Sequence, residues 1–189
     1  GHDFGISIIL VTLLIRILYV AAKNGFVVEL FKFLGIILTT YISLHYYIAL
    51  SDFFWRFIPE ESFPLEFLDF LAFITLTVIT YLVFVLLRSI FLHLVKMEAV
   101  PTLSKWGGFI LGLARGFLTV SLIIFALVIS SVAYLNTSVK KSYSGPRLLN
   151  VTVNVYTGIW DNLMSKFMTK EKFNKTVTEV QKDYLKEWN

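Results

Sequence analysis

At 189 residues, 57% of them hydrophobic and only 16% charged, with a mean hydropathy of +0.74, the chain is too apolar for an ordinary soluble domain. The absence of cysteine excludes disulfides, zinc-thiolate and iron–sulfur sites, and thiol nucleophiles. The net charge is +4, and nine of the 17 basic residues but only five of the 13 acidic ones follow Leu135; with no basic stripe interleaved with stacking aromatics, no nucleic-acid partner is expected, and anionic lipid headgroups are the expected counterpart.

The opening Gly1-His2 reads as a cloning remnant. Residues 4–22 form the first hydrophobic run, interrupted by Arg16. It lacks a basic leading region and a small-residue cleavage site, so it reads as a spanning helix and not a removable signal peptide. Lys23-Asn24-Gly25 is a polar turn, and residues 26–50 are long enough to return across the bilayer. This second span carries Glu29 and Lys32 at i,i+3 spacing, and His45-Tyr46-Tyr47 near its far end, read as an interfacial anchor. Residues 51–64 mix aromatics with acids and end in proline, the pattern of an interfacial segment. Residues 69–95 give a third span with Arg88 and His93 in its last turns, and residues 97–107, with Pro101 and Lys105, read as a loop.

The fourth span, residues 108–135, places Gly108, Gly112 and Gly116 at spacing four, with Arg115 beside the last. Roughly twenty apolar residues cross a hydrocarbon core of about 30 Å. Three glycines on one stripe form a helix-packing face on which another backbone can approach closely. Residues 3–135 thus read as a four-helix transmembrane domain. In the tail, residues 136–189, Leu149, Val153, Tyr156, Trp160, Leu163 and Phe167 share one helical face, and Phe173, Val177, Val180, Tyr184 and Trp188 share another. Two amphipathic helices are expected, resting on the membrane, on the bundle or on a neighbouring subunit, with a short coiled coil as the alternative. The fold class is therefore all-α: a polytopic membrane protein of four transmembrane helices plus C-terminal amphipathic helices.

The loops after the first and third spans are basic and the second loop is acidic, so the positive-inside rule puts the former in the cytoplasm and both termini in the periplasm. Lys140, Lys141 and Arg147 pull the other way. With this topology Arg16, Glu29, Lys32, Arg88 and Arg115 form one intramembrane charge cluster, within about three turns of the cytoplasmic helix ends. Glu29 is its only acid. Arg115 is expected to pair with it, in competition with Lys32. The surplus cations either snorkel to lipid phosphates or build a basic pocket for anionic lipid, an acidic partner segment or an anionic solute. No His-Glu-x-x-His helix, paired membrane aspartates, Gly-x-Ser-x-Gly elbow or phosphate loop occurs, so no catalytic residue, metal or cofactor is expected. Nor is there the half-to-half repeat of broken helices that secondary transporters use.

Two stretches resemble a known family. Asn24-Gly25-Phe26-Val27-Val28-Glu29 with Gly35 following is similar to the pattern after the first helix of colicin V production proteins, although Asn24 stands where a basic residue is usual. The stretch from Gly108 through Gly112 and Arg115 to Gly116 is similar to their second hallmark, which opens the last helix. The resemblance implies a small bacterial inner-membrane protein of four helices, associated with colicin V production and envelope homeostasis. Some members carry a periplasmic serine protease after the helices, which agrees with an external C-terminus; this chain has no protease residues. The expected function is a non-enzymatic membrane module that oligomerises, or binds a membrane or periplasmic protein partner, through the glycine face. The alternative is an oligomeric channel or exporter for a small or anionic solute.

Overall fold

The computed structural model describes residues 2–58, 64–94, 101–130 and 145–186. It is all-α, with four helices long and apolar enough to cross a membrane: α1 (Phe4–Ala21), α2 (Asn24–Trp55), α3 (Leu65–Leu94) and α4 (Pro101–Ile129). Helical backbone runs on from α1 into α2 and is broken at Gly25, whose φ of 80° and ψ of 176° reverse the chain. That φ costs glycine little and an L side chain much. Ser104 completes the turn by accepting the Phe26 N–H at 3.1 Å, which serves one of the orphan donors at the start of α2.

The helix bounds differ from those expected of the sequence in three places, each with a local cause. α2 continues past Leu50 to Trp55, because no proline or glycine interrupts it before Pro59. α3 starts at Leu65 rather than residue 69, directly after Pro64. α4 starts at Pro101 rather than residue 108, so much of the expected loop is helix; proline lacks only an N–H that the first turn leaves unpaired anyway. The last residues of the expected third and fourth spans, 95 and 131–135, lie outside the described residues.

The inner helices are α2 and α4, with 44% and 56% of their most apolar windows buried, against 6% for α1 and 17% for α3. Between them Tyr47, Phe73 and Phe125 pack as an aromatic cluster with ring centroids 5.2–5.9 Å apart. The tail forms α5 (Gly145–Ile159), a π-helical turn (Trp160–Met164) with one short helical turn after it, and α6 (Lys175–Lys186). Of the placements open to it, the tail takes the bundle. Leu149, Val153, Tyr156, Val177 and Tyr184 join the same core as α2 and α4. Ser121 of α4 meets the Leu148 carbonyl and the Thr152 hydroxyl of α5. The expected apolar face of the first tail helix breaks at the π turn, whose wider winding rotates the residues beyond it. Leu163 and Phe167 end up 51% and 76% exposed, and Trp188 lies outside the described residues.

Candidate functional site

The site begins with the missing side chains of α4. A Cβ on Gly108 would stand 3.1 Å from the Ala21 carbonyl oxygen, one on Gly112 2.2 Å from the Ala21 Cβ, and one on Gly116 2.5 Å from Leu14 Cδ1. The glycine face is therefore filled by α1 of the same chain. Within the chain, the close approach expected of this face is made by α1. The approach has a further effect: it brings α4 so close to the start of α2 that Arg115 reaches Glu29.

Glu29 is fully buried and is held by four donors. Arg115 gives Nε–H at 2.9 Å and Nη2–H at 3.4 Å, Lys32 Nζ lies at 3.5 Å, and the Asn24 amide donates at 3.4 Å. A buried carboxylate without such partners is costly, whereas a guanidinium that meets both oxygens offsets much of the desolvation. Arg115 and Lys32 share the carboxylate instead of one excluding the other, since they approach from different helices.

Arg88 of α3 completes a cleft with them. Lys32, Arg88 and Arg115 line a narrow pocket together with Tyr81, Phe84 and Thr119. Among the described residues no carboxylate lies within ion-pair distance of Arg88. The cleft thus sets three cations against one acid. Arg16 does not belong to it. It is exposed on α1, because Leu14, Ile17 and Ala21 turn toward the glycines and at about 100° per residue Arg16 points elsewhere.

At the other end of the bundle lies a polar network whose one partial signal in the sequence is the His45-Tyr46 pair. The Glu171 carboxylate can only accept, so His45 Nε2 carries a proton toward it; the Nδ1 of the neutral imidazole then accepts from the Tyr156 O–H at 2.7 Å, and the Tyr156 oxygen in turn accepts the Asn174 N–H at 2.9 Å. The Nε2–H···Glu171 bond measures 2.8 Å. Tyr46 donates to the same carboxylate at 3.0 Å, and Trp160 stacks on the imidazole with centroids 5.3 Å apart. His45 is thus a buried latch for the tail, not an interfacial anchor. Burial raises the Tyr156 phenol well above its ordinary value, against the pull of the Asn174 N–H, and pushes Tyr184 up to about 12. Tyr156 is fully buried, while the Glu171 side chain at the other end of the network is 37% exposed. No group of residues suited to a metal ion occurs among the described residues.

In comparisons with known proteins, the family model described as Colicin V production protein matches residues 6–153. No curated protein and no solved structure matches the chain.

Proposed function

The chain belongs to the colicin V production protein family, and from that membership we propose that it is a non-enzymatic inner-membrane module that binds an anionic partner in the plane of the bilayer, in toxin production or envelope homeostasis. The observation that supports this is the charge imbalance of the cleft between α2 and α3. Glu29 answers one charge; Lys32, Arg88 and Arg115 bring three. Partly buried cations at membrane depth are costly without counter-charge, and such residues mark binding sites more often than they serve the fold. With the glycine face occupied, this cleft is the place where a partner meets the module.

In this reading the basic end is cytoplasmic and both termini are periplasmic, as the loop charges favour. A cysteine replacing Lys105 is then shielded from an impermeant periplasmic reagent and one replacing Asp183 is labelled; the reverse pattern inverts the orientation. Binding is tested with a photo-reactive residue in place of Phe84, used in the native membrane. An adduct that Arg88→Gln abolishes supports the module. An adduct indifferent to Arg88 removes the cleft from its function.

The channel or exporter reading has one observation in its favour. Thr39, Ser43, Tyr47 and Ser51 form a buried row of hydroxyls at four-residue spacing along α2. Of these, Thr39 and Tyr47 have no hydrogen-bond partner among the described residues, and unsatisfied buried hydroxyls are places where water enters. Solute flux into proteoliposomes that Thr39→Val and Tyr47→Phe together abolish would favour this reading over the binding module.

A further inference from the structure

The basic cleft is the middle of three hollows that share lining residues. On the side of the Lys23–Gly25 turn, Lys32 and Arg88 also line an open recess, joined there by Asn24, Ser89 and His93. On the other side, Ile36, Tyr81, Arg115 and Thr119 are shared with a larger groove that runs toward the membrane centre. This groove takes its lining from all four spanning helices, mainly apolar side chains such as Ile17, Ile36, Val78 and Leu122. Cations and amide or hydroxyl donors therefore stand at one end and hydrocarbon at the other.

We infer that the cleft holds one anionic phospholipid, its phosphate between Lys32 and Arg88 and one acyl chain in the groove below. The inference rests on the binding-module reading and names its ligand. Charge complementarity selects the headgroup: the cation surplus of the cleft suits a phosphate without a compensating cationic group, and not a zwitterion. The groove selects the chain. A free phosphate or a small anionic solute would use the two polar hollows and leave the apolar one unexplained. Access comes from the bilayer, because Val78, Tyr81 and Leu82 on the groove's edge are 50%, 50% and 58% exposed. Length agrees as well. The groove's lining on α3 runs from Phe73 to Leu82, about 14 Å at 1.5 Å per residue, close to the roughly 15 Å that one leaflet contributes to a 30 Å core.

The experiment uses the full chain, purified in a neutral detergent and offered phosphatidylglycerol, phosphatidylcholine or inorganic phosphate, with bound lipid counted by native mass spectrometry. One retained phosphatidylglycerol per chain is expected, at least five-fold above phosphatidylcholine and not displaced by millimolar phosphate. Arg88→Gln should lower occupancy at least five-fold and Arg88→Lys should largely keep it. Val78→Trp, which fills the groove from a lipid-exposed position and leaves every charge in place, should lower it as much as Arg88→Gln; unchanged thermal unfolding shows that the fold survives. Displacement by phosphate, or full occupancy in Val78→Trp, overturns the lipid and leaves a simple anion site. Loss of the Phe84 adduct in Arg88→Gln with no selective lipid retention overturns the inference while the binding module stands, and indifference of both adduct and lipid to Arg88 overturns both.

Discussion

Gly108 lies against Gly25: a Cβ on Gly108 would stand 2.9 Å from the Gly25 carbonyl carbon. The two stretches that carry the family resemblance, far apart in the chain, are thus two sides of one contact. The same approach that requires glycine on α4 lets Gly25 turn the chain and leaves Glu29 within reach of Arg115. Close packing and charge pairing here are one feature.

Filling this contact should be costly, and the cost should be recoverable from the other side. Gly112→Leu is expected to destabilise the bundle by about 1–3 kcal/mol or more through overpacking. Gly112→Ala, whose Cβ would stand 2.2 Å from that of Ala21, should regain most of its loss when combined with Ala21→Gly. Gly5→Leu is the control, since a Cβ there has no neighbour within 4 Å. Thermal unfolding in detergent measures all four variants. Absence of recovery in the pair would count against the contact.

The Glu29 cluster should respond asymmetrically. Arg115→Gln leaves the carboxylate with Lys32 at 3.5 Å, whereas Glu29→Gln strands two cations at once. Glu29→Gln should therefore cost more, on the order of 3 kcal/mol, and the double variant should lose less than the sum, with a coupling of about 1 kcal/mol or more. Chemical unfolding in mixed micelles reads the cycle. Strict additivity would return Arg115 to a snorkelling role.

Docking of the tail should depend on the His45 latch. Tyr156→Phe removes the acceptor of the Asn174 N–H and the donor to His45 together, at a cost of about 1–3 kcal/mol for polar groups left unpaired. Hydrogen exchange in nanodiscs should show α5 and α6 losing about tenfold or more in protection while α2 and α4 keep theirs. Equal loss everywhere would mean that the latch holds the whole bundle.

The buried phenols of the tail give a pH dependence of known sign. Their pKa values are raised by burial, Tyr184 to about 12 and Tyr156 further, so the docked state binds protons more tightly than the undocked one. Their contribution is complete below the ordinary phenol value near 10 and is lost as pH rises toward the docked values. Between about pH 10 and 12 docking should weaken by roughly 1.4 kcal/mol per pH unit for each phenol. Tyrosinate absorbance followed alongside exchange tests this; Tyr184→Phe should flatten the slope.

The four spans and the Glu29–Arg115 pair were legible because each rests on a local signal: long apolar runs, and a single acid in a layer of cations. The identity of the helix on the glycine face was not. Small residues announce a close approach but not which backbone makes it, and α1 owes its place to the turn at Gly25. Most of the loop expected before Gly108 is helix because Pro101 stands in a first turn, where its missing N–H costs nothing. Arg16 shares the depth of the cluster but not its face, and depth alone was readable. The His45–Glu171 contact joins residues 126 positions apart, and nothing in the periodicity of either segment points to the other. The π turn at Trp160–Met164 carries no sequence mark, so Leu163 and Phe167 were placed on the wrong side.

The separation of Glu29 from Arg115 also has a meaning in time. The two lie 86 residues apart, and a ribosome adding about 5–20 residues per second needs roughly 4–17 s to make that length. During this interval the α1–α2 hairpin, joined by a single reversed residue, enters the bilayer with its carboxylate and without the arginine that will hold it. Lys32 and Asn24 are present from the start, one turn after and one turn before Glu29. Of the two, Lys32 can give the nascent carboxylate a counter-charge and Asn24 a hydrogen bond, so Glu29 need not wait unpaired for Arg115 to be made.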